Sequence, residues 1–111
     1  MREHELKTWP SPFQAVRRGE KTHEVRGSRD RNFSVGDLLL LREFVPCSVC
    51  LGSGSRTVYD PMGLETCPEC RGQGGDYTGE KEKVAVTHLT LGGSFGLPPH
   101  LCVMSIRRTV R

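Results

Sequence analysis

No apolar run in this chain is long enough to form the core of a secretory signal or to cross a bilayer, and the first residues, MREHELKTW, are charged. Secretion and membrane partners are therefore not expected, and the chain reads as cytoplasmic. Strong charge of either sign is lacking too. A formal net charge of +3 permits a nucleic-acid partner without announcing one. The four histidines are scattered and offer no metal-ligand spacing. Apolar residues fill 35% of the 111 positions, enough for one domain with a modest core, yet few of them fall between Pro46 and Asp76. That stretch cannot pack a core of its own and needs a staple.

The staple is written in the same stretch, which holds four of the five cysteines. CSVCLGSG and CPECRGQG repeat the pattern C-x-x-C-x-G-x-G, the one internal repeat in the chain. Cys47, Cys50, Cys67 and Cys70 thus form C-x2-C-x16-C-x2-C, the spacing of a four-cysteine zinc site. Each pair sends two thiolates to one metal, and the trailing glycines let the backbone aim N–H groups at sulfur. A redox dithiol pair and disulfides are the alternatives. The doubled motif, the glycines and a reducing compartment favour zinc over both. Four thiolates leave no ligand position open, so the site is structural rather than hydrolytic. Thiolates and zinc together sum to minus two, in a segment that is already acidic. Residues 45–79 carry two Lys/Arg against four Asp/Glu, whereas residues 1–44 carry nine against seven and residues 80–111 five against two. The cysteine module is a poor grip for phosphate.

On either side of the cysteines the pattern is of short strands with one helix. HELKTW alternates like a strand. SPFQAVRRGEK has Ser11 as N-cap, Pro12 in the first helical position and Gly19 as terminator, with Phe13 and Val16 on one apolar face. THEVR and SVGDLLLLREF predict strands, and the run of four leucines implies burial on both faces or closure in a barrel. EKEKVAVTHLTL runs near period two through Val84, Val86 and His88, then Leu89 and Leu91. After the loop GGSFGLPPH, LCVMSIRRTV is a last strand in which Cys102 reads as a buried small side chain. The expectation is a mainly β (α+β) fold, a small barrel or rolled sheet with one flanking helix.

The two cysteine units resemble half of the cysteine-rich region of DnaJ-type chaperones and, more loosely, zinc ribbons. A second resemblance lies in the flanks. GEKTHEVR, Gly19 to Arg26, is similar to the G-x-K-x-x-E-x-R signature of the ASCH domain, a PUA-like β-barrel superfamily. With RDRNFSVGDLLLLREF, YTGEKEKVAVTHL, GGSFGL and LCVMSI, residues 4–44 and 77–107 resemble a small ASCH-like family of phages and bacteria without an assigned function. The cysteine segment lies outside this likeness. The resemblance implies a single domain over residues 1–111, with residues 46–76 as a zinc-knuckle insertion at a hairpin tip. Closing so long a loop costs little more than closing a short one, and zinc orders the tip.

PUA-like domains commonly hold a nucleotide or RNA segment between barrel and helix. By that resemblance Lys21, Glu24 and Arg26 sit at the cleft, with Arg17, Arg18, Arg29 and Arg31 on its rim and Trp9 and Phe95 as stacking surfaces. Lys21 or Arg26 would meet phosphate or a base carbonyl, and Glu24 an exocyclic amine. The plainer counterparts are a solvated salt bridge among Lys21, Glu24 and Arg26, packing of Trp9 on Phe13, and helix-end cations for Arg17 and Arg18. The implied function is binding of RNA or a modified nucleotide. Some ASCH proteins are amidohydrolases that deacetylate acetylcytidine. Lys21 matches their lysine, but Glu24 stands where they have threonine, and Gly92 to Leu101 is too short for their later helical glutamate. Catalysis by Lys21 and Glu24 is thus the weaker alternative. A zinc-clipped adaptor that holds a protein partner through residues 46–76 is the third.

Overall fold

The computed structural model describes residues 2–28, 31–59 and 61–109. Its elements are β1 (Glu3–Thr8), α1 (Pro10–Arg17), β2 (His23–Gly27), β3 (Leu38–Pro46), β4 (Ser55–Tyr59), β5 (Met62–Thr66), β6 (Gly75–Thr90) and β7 (Leu101–Arg108). The fold is mainly β, with 51% of it in strands and one short helix. Five strands form one sheet in the order β1-β3-β6-β7-β2, and β4 pairs separately with β5. β1 runs parallel to β3, and the other pairs are antiparallel.

The large sheet curls into a half-barrel. Leu39, Leu41, Val84 and Met104 have no exposed surface and form one core with Phe13 and Val16 of α1. The four leucines of β3 do not share that fate: Leu38 and Leu40 are half-buried on the other face, as a sheet with one packed side requires. Among the described residues no ladder joins the edge strands β1 and β2. Side chains span the gap instead. Arg26 Nη2 donates to the Lys7 carbonyl at 3.2 Å and lies 3.4 Å from Thr8 Oγ1, and Arg31 Nη1 donates to the Glu5 carbonyl at 3.0 Å.

α1 begins earlier than the Ser11 cap predicts. Trp9 is the N-cap, extended at φ −68° and ψ 158°, because the proline that follows it disfavours a helical conformation at Trp9 and is itself preset for the first turn. Its carbonyl accepts from the Phe13 N–H at 3.0 Å, and no side chain caps the helix. Gly19, at φ +78°, closes the C-terminal end as expected.

Two bulges set which side chains face where. One on the β6–β7 ladder, between Val86 and His88, shifts the alternation, so His88 turns to solvent and Leu89 packs against the core. The other, between Arg42 and Phe44 on the β3–β6 ladder, places the extra residues on β6, between Tyr77 and Lys81; Glu43 keeps the inward phase of Leu39 and Leu41, and Gln14 and Thr78 donate to its two carboxylate oxygens at 3.1 and 2.9 Å. β3 and β6 stay paired out to Pro46 and Gly75, and the cysteine segment projects from that end. The projection raises the radius of gyration to 16.4 Å, against about 13 Å for a compact chain of this length. No helix among the described residues is long and apolar enough to cross a membrane.

Candidate functional site

The β3–β6 ladder delivers the two cysteine knuckles to one place, and from there both follow the same course. The Gly54 N–H donates to Cys50 Sγ at 3.2 Å, and the Gly74 N–H donates to Cys70 Sγ at 3.2 Å. The residue after the second cysteine is left-handed in both, with Leu51 and Arg71 at φ 55°. Each knuckle is tied to the other by a reciprocal backbone bond, Cys47 N–H to Gly74 O at 2.7 Å and Cys67 N–H to Gly54 O at 2.9 Å. A Cβ on Gly54 would lie 2.6 Å from Gly72 O, and one on Gly74 would lie 2.7 Å from Gly52 O. The glycines are therefore what allow the two backbones to meet.

The four sulfurs lie within 4.8 Å of one another, with Cys47 and Cys67 3.9 Å apart and Cys50 and Cys70 3.6 Å apart. Thiolates at about 2.3 Å from a tetrahedral zinc stand about 3.8 Å from each other, so the spacing fits one such ion. All four are free thiols rather than disulfides. Burial raises the Cys50 thiol, but the N–H groups of Gly54 and Gly52 and the thiols of Cys70 and Cys47 outweigh it and bring it down to about 6. Its partner Cys70 is pushed up, burial being the largest cause. Four sulfur donors backed by N–H groups make a closed site for a thiophilic metal ion.

A second concave site, about 300 Å³, lies where β1 and β2 approach each other beside the start of α1. Glu24 forms its floor. The alternation of β2 turns this carboxylate inward, to 4% side-chain exposure, and two cations hold it there. Lys21 Nζ donates to Oε1 at 2.5 Å and Arg26 Nε to Oε2 at 2.9 Å. Lys21 also donates to the His23 carbonyl at 2.5 Å. Trp9, 50% exposed, forms a wall, and Lys7 adds a third cation at the rim. On its other side the indole edge meets the cysteine module, where a Cβ on Gly52 would lie 3.4 Å from Trp9 Cζ2.

Compared with known families, the chain matches the model described as "Domain of unknown function (DUF3850)" over residues 3–106, from β1 into β7. The chain belongs to that family. A search of the curated proteins finds no match. In this DUF3850 chain, Lys21, Glu24, Arg26 and Trp9 are brought together, while the other expected cleft residues lie elsewhere. Arg17 is drawn away by Glu80 and Glu82 of β6, each at 2.7 Å, because the last turn of α1 packs over that strand. Arg18 pairs with Glu20 at 2.8 Å. Arg31 and Phe95 do not line the Glu24 cleft: Arg31 lines a separate hollow with Phe33 and Pro99, and Phe95 stands 98% exposed. Arg29 lies outside the described residues.

Sequence reasoning missed two buried polar groups. His4 Nε2 lies 3.0 Å from Asp37 Oδ2, with both residues buried and the imidazole packed against Phe33 at 4.8 Å between centroids. Burial raises Asp37, but hydrogen bonds from His4 and from the Arg2 and Ser34 N–H groups outweigh it and hold the carboxyl below its ordinary value. An ionised Asp37 fixes the proton of His4 on Nε2. Glu43 is the other. The only signal for either was a charged residue beside an apolar strand.

Proposed function

We propose that this DUF3850 chain is an ASCH-like, PUA-like single domain over residues 1–111 that binds RNA or a modified nucleotide in the cleft of Lys21, Glu24, Arg26 and Trp9. Residues 46–76 are then an insertion whose one structural zinc ion is held by Cys47, Cys50, Cys67 and Cys70. The cleft carries the reading: a buried carboxylate acceptor, flanked by two cations, under a half-exposed indole. A base stacked on Trp9 would present an exocyclic amine to Glu24, and Lys21 or Arg26 would meet a phosphate or base carbonyl. Bound zinc cross-links the two knuckles and offsets the charge of their thiolates. The cytoplasm is the compartment this reading assigns, since free thiols persist there.

Titration with short single-stranded RNA at low salt is the direct test. Affinity should fall with added salt, and Lys21→Ala or Arg26→Ala should each weaken it about tenfold. No binding of RNA or single-stranded DNA at low salt would sink the reading. Metal analysis should find one zinc per chain in protein purified without chelator.

A second reading rests on a separate observation. Tyr59, Met62 and Leu64 share one face of the β4–β5 ribbon and are all exposed, which favours an adaptor role for the module. Deleting residues 46–76 should then abolish capture of a protein partner while the half-barrel stays folded.

A further inference from the structure

The cleft does not end at Trp9. Lys7 lines it and also lines a neighbouring hollow of about 340 Å³ with Phe44, Gln73, Gly75, Asp76 and Tyr77, at the foot of the cysteine module. The shared side chain sets the two hollows next to each other, with Lys7 at the step between them. The Lys7 ammonium stands 4.1 Å from the centroid of the Phe44 ring, so an aromatic face sets its position.

The far hollow carries the equipment for a second base. The Tyr77 ring is partly exposed, and it is braced edge-on by Phe44 at 5.0 Å and capped by the Arg42 guanidinium at 3.9 Å. Asp76 supplies an acceptor, and the Gln73 amide supplies a donor and an acceptor. A ring at each end with a cation between them matches the order of a single strand: base, phosphate, base.

We propose that the groove is bipartite and takes a single strand of at least two nucleotides. One base lies against Trp9 over Glu24, the next against the Tyr77–Arg42 stack, and Lys7 meets the phosphate that joins them. The proposal rests on the cleft reading above and extends it to the metal module. Gln73 belongs to the second knuckle, where its N–H is held by the Cys70 carbonyl at 3.1 Å, so the metal site fixes one wall of the far position. The negative module then reads the base and leaves phosphate to Lys7.

Trp9 is the one tryptophan in the chain, so its emission reports on the near position alone. The zinc-loaded full chain is titrated at low salt with a ribonucleoside monophosphate and with the matching dinucleotide and tetranucleotide. All should quench Trp9, and the dinucleotide should bind about tenfold tighter than the monophosphate, the scale of one base–aromatic stack. Tyr77→Ala should remove most of that gain, and so should Tyr77→Leu, which keeps an apolar side chain without an aromatic face and guards against a folding artefact. Equal affinity for monophosphate and dinucleotide overturns the bipartite groove while leaving the cleft reading intact, as does a gain that survives both substitutions. Absence of quenching by every ligand overturns the cleft reading, and this proposal with it.

Discussion

The half-barrel and the cysteine module offset the entropy of ordering a chain by different means. In the half-barrel, Phe13, Leu39, Leu41, Val84 and Met104 leave water completely, and each such side chain contributes about 1.5–3 kcal/mol. In the module the buried side chains are the cysteines themselves, and β5 is exposed along its whole length. The division extends to the backbone. Half-barrel strands absorb bulges opposite Glu43 and at Thr87 and still pack, because side chains define the fold there. The module relies on N–H···S contacts and close glycine passages, where one methyl group would collide with a carbonyl. A core tolerates local irregularity, whereas a metal knuckle tolerates very little.

Removing the metal breaks this comparison most severely. A chelator, or Cys67→Ser at the fully buried sulfur, should bring residues 47–74 to unprotected amide exchange while the β6–β7 ladder beyond Val84 stays protected. Binding of structural zinc contributes on the order of 10 kcal/mol to such modules. Loss of protection throughout would instead make the two regions one cooperative unit. Leu41→Ala attacks the other side: urea denaturation should register a loss of about 2–5 kcal/mol, and chelator competition should give an unchanged zinc affinity.

Asp37→Ala comes next, at about 1–3 kcal/mol, because it leaves His4 and two backbone N–H groups without their acceptor. The folded value of Asp37 is depressed, so its contribution is fully present above the ordinary value of 3.8 and is lost as pH falls through the lower folded value. Acid denaturation of the half-barrel should show that loss below about pH 4, and Asp37→Asn should flatten it. At the small end stands Arg17→Ala. Its pair with Glu80 is solvated, and the more buried Glu82 keeps Arg108 as a second partner, so thermal melts should change by no more than about 1 kcal/mol.

The half-barrel strands, the short helix and the cysteine cluster were legible because each is written locally, in alternation, in turn residues and in a repeated motif, whereas the β4–β5 ribbon inside the cysteine segment was not anticipated. The bulges were not. A single extra residue at Thr87 reverses every later side chain of β6, so a count by twos puts His88 inside and the structure puts it outside. The His4–Asp37 pair was hidden for another reason: its members lie on β1 and just before β3, and the parallel pairing of those strands is a tertiary fact. In the cleft, GEKTHEVR brought Lys21, Glu24 and Arg26 to one place because all three belong to β2 or its approach. The rim arginines depended on long-range partners. Two glutamates on β6 claimed Arg17, and nothing in the helix sequence announces them.

The reciprocal bonds between the two knuckles also have a kinetic side. β3 and β6 are neighbours in space but are separated in sequence by the whole module, so without help their ladder begins with a long-range closure. Once the knuckles have captured a metal, Pro46 and Gly75 are already side by side, and the ladder can zip from that end like a hairpin with a short turn. The outlying module, which adds nothing to the apolar core, would then shorten the closure from which the β3–β6 ladder grows. A chain made without metal must search for that closure unaided.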